Sequence, residues 1–221
     1  MQEELSLKAE INLYYDVYFP ENSSGKLPIL IAVHGYGASK RYMMTEAKRI
    51  ANEKFVIVSI QAPYQHYRES KGTFKVGFGW LTDHKSEESV SIHHNFILGV
   101  LDKLSTNDSV DSKRVFLFGF SQACALNFRF AFTYPEKLTG IIGVCGGIPS
   151  DLETNSIYKT LDSKVFYLYS DTDEFYTTEK YEKFNEILKS RLKTYESKLY
   201  TAKHEIIDEM RGDMKHWLQK F

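Results

Sequence analysis

Short, unbroken apolar runs recur along the chain: LPILIAV from Leu27 to Val33, FVIVSI from Phe55 to Ile60, VFLF before Gly119, a run from Leu138 to Cys145, and KVFYLYS from Lys164 to Ser170. Strands read this way when helices cover both faces of a parallel sheet, so that neither face needs polar residues. Between the runs, spacing near 3.6 predicts helices over 41–53, 91–104, 122–134 and 178–192, the third of them stopped by Pro135. A further strand is expected over 196–201 and a closing helix from Glu205. In that helix Ile206, Ile207, Met210, Met214, Trp217, Leu218 and Phe221 form one apolar stripe, which is read as a core-facing side. Ahead of all this, residues 5–19 alternate loosely with period two until Pro20, which predicts antiparallel edge strands. Alternating strands and helices make an open α/β sheet.

One connection breaks the pattern. Residues 61–90 show no clear period, and segments of that length inside compact domains are usually lids or binding loops. The segment carries Tyr64, Tyr67, Phe74, Phe78 and Trp80 beside Gly72, Gly77 and Gly79. Its rings, Phe78 and Trp80 first among them, either wall a substrate pocket or anchor the loop to the body of the protein.

At 221 residues and 43% hydrophobic content, one domain spanning 1–221 is expected. A net charge of −1 supplies no field that would gather nucleic acid or anionic lipid, which leaves small molecules as the expected partners. No run of eighteen apolar residues is present and the start lacks a signal-like pattern, so a membrane span is not expected and a cytoplasmic location is. The two cysteines, Cys124 and Cys145, lie in apolar stretches without metal-ligand spacing and read as buried thiols. Oligomeric state has no signature in the pattern.

Chemistry enters at KRVFLFGFSQACALNF, where Ser121 stands between Gly119 and Ala123 at the change from strand to helix. A nucleophile on so sharp a turn needs small residues two positions either side, and open α/β sheets gather their sites at the carboxyl ends of strands. A serine hydroxyl is a weak nucleophile until a histidine takes its proton and a carboxylate fixes the imidazole. In hydrolases built this way the order along the chain is serine, acid, histidine. Only His204 and His216 follow Ser121, and His204 falls in a loop between a strand and a helix, whereas His216 lies within the closing helix. The run ending at Ser170 is followed by DTDEF, which offers Asp173 as the acid with Asp171 as its rival. An oxyanion needs preorganised donors, expected from the backbone N–H of Gln122 and, in HGYGAS after the first buried run, from that of Tyr36.

HGYG after a strand, QAP at 61–63, GFSQ around Ser121, YPEKLTGIIGVCGGIP, SDTDEF and KHEI together resemble the phospholipase/carboxylesterase branch of the α/β-hydrolases, a group that includes acyl-protein thioesterases. The resemblance implies the α/β-hydrolase fold, with a mostly parallel central sheet and helices on both faces. It implies Ser121, Asp173 and His204 as nucleophile, acid and base, Tyr36 and Gln122 as oxyanion donors, an ester or acyl substrate, and neither metal nor organic cofactor. Two departures stand out: Ala123 and Cys124 replace a pair of glycines, and Phe175, Tyr176 and Thr177 stand where valine and proline usually follow the acid. Hydrolysis of esters or thioesters is the leading expectation. A peptidase on the same fold and a catalytically inert binding protein are its alternatives.

Overall fold

A computed structural model describes residues 3–21, 25–51, 53–70 and 72–221. Its elements in chain order are β1 (Tyr15–Tyr18), β2 (Leu27–Val33), α1 (Lys40–Ala51), β3 (Val56–Ile60), β4 (Tyr64–Ser70), β5 (Thr73–Gly79), α2 (Ser86–Ser105), β6 (Val110–Phe120), α3 (Gln122–Thr133), β7 (Gly140–Val144), β8 (Lys164–Ser170), α4 (Thr178–Arg191), β9 (Tyr195–Tyr200) and α5 (Asp208–Leu218). Seven strands form one sheet in the order β1-β3-β2-β6-β7-β8-β9, parallel throughout except for β1.

Alternate residues of each central strand feed two cores. Ile29, Ile31 and Val33 of β2 join Leu117 of β6 and Tyr167 of β8 beneath α2, α3 and α4. Leu30 and Ala32 join Phe116, Phe118 and Leu168 on the other face, under Met43 of α1 and Met210, Met214 and Trp217 of α5. Removing a side chain of this size from water stabilises by roughly 1.5–3 kcal/mol, so a sheet buried on both faces dominates the folding energy. The stripe on the closing helix therefore faces the core as its spacing requires.

Two expectations are corrected. Of the edge strands expected over 5–19, only Tyr15–Tyr18 forms, pairing antiparallel with β3, while residues 3–14 make no ladder. The aperiodic connection is not structureless: β4 and β5 pair in register from Tyr64↔Gly79 to Ser70↔Thr73 as a separate two-stranded sheet. Its base is fastened to the loop after β2, where Gly37 N–H donates to Phe78 O at 2.8 Å.

Candidate active site

Strand β6 ends at Phe120 and α3 starts at Gln122, so Ser121 alone makes the bend. Its backbone sits at φ 57° and ψ −121°, a conformation that costs a non-glycine residue about 1–3 kcal/mol. Two bonds hold it there: Ser121 N–H donates to Val144 O at 2.9 Å, and Cys124 N–H to Ser121 O at 2.9 Å. Space around the bend is scarce. A Cβ on Gly119 would lie 2.6 Å from Asn127 Nδ2, and one on Gly35 would lie 2.9 Å from Ser121 Cβ. Cys124 fits because the bare position lies elsewhere: a Cβ on Gly146 would meet Ser121 O at 2.2 Å and Cys124 Cβ at 2.6 Å. Its Sγ–H faces Gly119 O and Val144 O at 3.2 Å each, and burial raises the thiol's pKa, so it stays protonated.

The loop after β9 brings His204 to this bend. Its Nε2 is 2.8 Å from Ser121 Oγ and its Nδ1 2.8 Å from Asp173 Oδ2. Asp173 lies just past β8 with its side chain fully buried. Tyr181 OH donates to Oδ2 at 2.7 Å, and the N–H groups of Phe175 and Tyr176 donate to Oδ1 at 2.8 and 2.9 Å. Burial pushes this carboxyl's pKa up, but the bonds from His204, Tyr176, Tyr181 and Phe175 outweigh burial and hold it below the usual value. An ionised Asp173 can only accept, so the imidazole proton belongs on Nδ1 and Nε2 turns a lone pair to the hydroxyl. The arrangement can draw a proton from Ser121.

Asp171 is exposed and accepts instead from Thr201 Oγ1 at 2.9 Å, while His216 is exposed on α5. The residues that replace valine and proline are used locally. Phe175 and Tyr176 set rings 4.8 and 6.1 Å from that of His204, with Phe120 at 4.9 Å on another side, and Thr177 caps α4.

Among the described residues the backbone N–H groups of Tyr36 and Gln122 find no acceptor. Both flank the Ser121 bend, because Gly35 packs directly on Ser121 and Gln122 follows it. The loop carrying Tyr36 is pinned by His34, which is wholly buried. His34 Nδ1–H donates to Gly35 O at 2.7 Å, and its Nε2 accepts from Gln61 Nε2 at 2.8 Å and Ala62 N–H at 3.0 Å. Burial lowers its pKa to about 4, which keeps the ring neutral and these three bonds intact. HGYG and QAP thus meet through one imidazole, a contact invisible until β2 and β3 lie side by side.

Of the two roles left open for Trp80, pocket wall or loop anchor, its surroundings support the anchor. Its ring is fully buried in the core and its Nε1–H donates to His34 O at 2.8 Å, so it anchors the segment. Phe78 is partly buried against the same core and approaches His34 edge-on at 6.5 Å. Gln122 completes the anchorage: its Oε1 accepts from Trp80 N–H at 2.9 Å and its Nε2 donates to Leu81 O at 3.0 Å. Tyr181, the phenol that braces Asp173, was not singled out from the sequence. It lies on an amphipathic stretch with Phe184 and Leu188, where an apolar role is the natural reading.

The family model described as phospholipase/carboxylesterase matches residues 20–221. A search of curated proteins finds no significant sequence match. Among solved structures, a carboxylesterase of Bacillus cereus is 16% identical, covers 94% of each chain and superposes with a TM-score of 0.72. A phospholipase/carboxylesterase from Dyadobacter fermentans is 14% identical over 94% of this chain and 97% of its own, with a TM-score of 0.73. SOBER1 of Arabidopsis thaliana is 18% identical over 87% of this chain and 98% of its own, with a TM-score of 0.70. At these identities the likeness is one of fold, and that fold is the α/β-hydrolase fold.

Proposed function

The chain belongs to the phospholipase/carboxylesterase family, an esterase-type hydrolase lineage, and from that premise we propose a serine hydrolase that cleaves carboxylic esters or thioesters through an acyl-serine intermediate. The observation that carries this reading is the unbroken chain from Ser121 Oγ through His204 to Asp173, with both links at 2.8 Å. As the substrate carbonyl approaches, His204 Nε2 takes the hydroxyl proton while Oγ bonds to the carbonyl carbon. Negative charge then collects on the carbonyl oxygen, opposite the N–H groups of Tyr36 and Gln122. Their open valences support the oxyanion role, a contribution of about 2.7–4 kcal/mol per donor in comparable sites.

Collapse of the tetrahedral species breaks the bond to the alcohol or thiol, which leaves with the proton held on Nε2. Water enters next, His204 removes its proton, and a second collapse frees the carboxylic acid and restores the serine. Asp173 stays ionised throughout and gives the positive ring a counter-charge. Short acyl esters are the proposed substrates.

Treatment with a fluorophosphonate tests the nucleophile directly. Purified protein is expected to be labelled at Ser121 and the Ser121→Ala protein to be unlabelled. A folded native protein that resists the reagent and leaves p-nitrophenyl esters intact would favour an inert binding role.

A further inference from the structure

Beside the nucleophile bend lies a cavity of about 320 Å³ whose walls include Tyr36, Ser39, Tyr42, Arg68 and Phe120. Phe120 adjoins Ser121 in the chain and Tyr36 carries one proposed oxyanion donor, so two of the walls are neighbours of the proposed reacting centre. Arg68, like Val76, comes from the hairpin. Its stem lies across two glycines: a Cβ on Gly37 would be 3.5 Å from Arg68 Cδ, and one on Gly77 would be 3.2 Å from it. Gly37 has φ +75°, so a larger residue there would be strained as well as crowded. Arg68 is exposed to solvent, and with its stem resting on these two glycines it forms part of the cavity wall.

Among the described residues nothing accepts a hydrogen bond from that guanidinium, in contrast to Arg129 and Arg211, each held by carboxylates. Arg68 also faces Lys75 directly across the hairpin ladder. Like charges at such a position repel, and an anion between or beside them removes the penalty. Among the described residues no carboxylate lines the cavity; its polar side chains are the hydroxyls of Tyr36, Ser39 and Tyr42 together with Arg68. Two carboxylates act on Tyr42, Glu46 and Glu205, and the first of them is bonded by Arg211 at 2.6 and 3.0 Å.

We propose that Arg68 selects esters carrying an anionic group, a carboxylate or phosphate, by receiving that group in this cavity while the scissile carbonyl lies at Ser121. The Gly35–Gly37 segment bridges the two, since Gly35 packs on Ser121 and Gly37 on Arg68. Two residues span at most about 7 Å, which sets the separation of carbonyl and anion on the order of 10 Å. A planar fork of donors suits either oxyanion. The inference rests on the hydrolase reading for its chemistry but concerns a separate group.

Its test compares 4-nitrophenyl butyrate with mono-4-nitrophenyl esters of linear dicarboxylic acids from glutarate to sebacate, and with 4-(butyryloxy)benzoate, which carries the anion on the leaving side. In Arg68→Ala, kcat/KM for the preferred anionic ester is expected to fall roughly 10- to 100-fold, while the neutral butyrate changes less than about twofold. Arg68→Lys should recover part of the loss, and raised salt should shrink the difference. Equal effects on neutral and anionic esters in both arms would overturn the proposal. Calorimetric titration of suberate into Ser121→Ala protein, with and without Arg68→Ala, reads the anion site without turnover. Binding that Arg68→Ala abolishes supports the site even where no ester is cleaved, in which case the hydrolase reading fails alone; suberate binding that ignores Arg68 sinks the anion site.

Discussion

Two histidines stand at the carboxyl ends of strands in the same sheet, and their surroundings give them opposite uses. His34 touches only groups that cannot take up charge: a carbonyl at Nδ1, and an amide nitrogen and a backbone N–H at Nε2. It is sealed from water, and burial holds its pKa near 4. His204 retains some exposure and has a carboxylate on one nitrogen and a hydroxyl on the other. Proton transfer needs a partner that gives up a proton and a counter-charge that tolerates the result, and only the second ring has both. The first is a strut for the loop that carries Tyr36, the second the proposed proton acceptor. One side chain serves both purposes because its neighbours, rather than its intrinsic basicity, decide.

The sharpest way to break this contrast is to remove the counter-charge while keeping its shape. Asp173→Asn is expected to lower kcat for a p-nitrophenyl ester by about 10⁴-fold, because an amide that donates toward Nδ1 stabilises the wrong tautomer. Asp171→Asn, whose carboxylate bonds Thr201 rather than His204, should change kcat less than about threefold. A steep loss in Asp171→Asn with Asp173→Asn unimpaired would reassign the acid.

Why Asp173 and Asp171 remained rivals in the sequence is a matter of direction: two carboxylates two residues apart past a strand end point differently, and only the fold shows which is turned inward. That Ser121 and His204 should meet was legible because the bend needs small neighbours and because chain order excluded five of the seven histidines. The buried strands were legible because both of their faces are covered. The hairpin was not, since Tyr64–Ser70 sets aromatic beside charged residues on both faces and shows no apolar alternation, while its base is fastened by the bond from Gly37 N–H to Phe78 O. Helix α2 begins at Ser86, five residues before the expected Ser91, because its first turn is acidic and exposed, and favourable charge at a helix start leaves no apolar mark. Gly146, which makes room for Cys124, sits on another strand's loop, and no local motif points to it.

Acid offers a smaller and graded test. Burial lowers His34 and His94 to about 4 and His93 well below 6.5, so between those values the unfolded chain binds protons that the folded chain refuses. The sign follows: the stability these rings permit is complete above about pH 6.5 and is lost as pH falls toward 4, by about 1.4 kcal/mol per pH unit for each ring. Urea unfolding midpoints measured from pH 7.5 to 5 should therefore decline. In His34→Gln, which keeps a donor and an acceptor but cannot titrate, the slope should lessen by roughly a third. An unchanged slope would mean that His34 is not held neutral and that the contrast with His204 is one of geometry only.

The smallest effect probes the hairpin's attachment. Gln122 combines two roles: its backbone N–H is a proposed oxyanion donor, and its side chain bonds Trp80 N–H and Leu81 O. Gln122→Ala keeps the first and removes the second, leaving two partly buried backbone groups without partners. A loss of about 1–3 kcal/mol in unfolding free energy is expected, with kcat reduced only a few-fold because the N–H, His34 and Trp80 Nε1 still fix both sides of the proposed oxyanion site. Gln122→Glu should be the worse substitution, since a carboxylate oxygen would face Leu81 O where a donor stood. A hundredfold fall in kcat for Gln122→Ala at undiminished stability would show that the hairpin orders the reacting groups themselves. The division between struts and proton carriers would then have to be redrawn to include it.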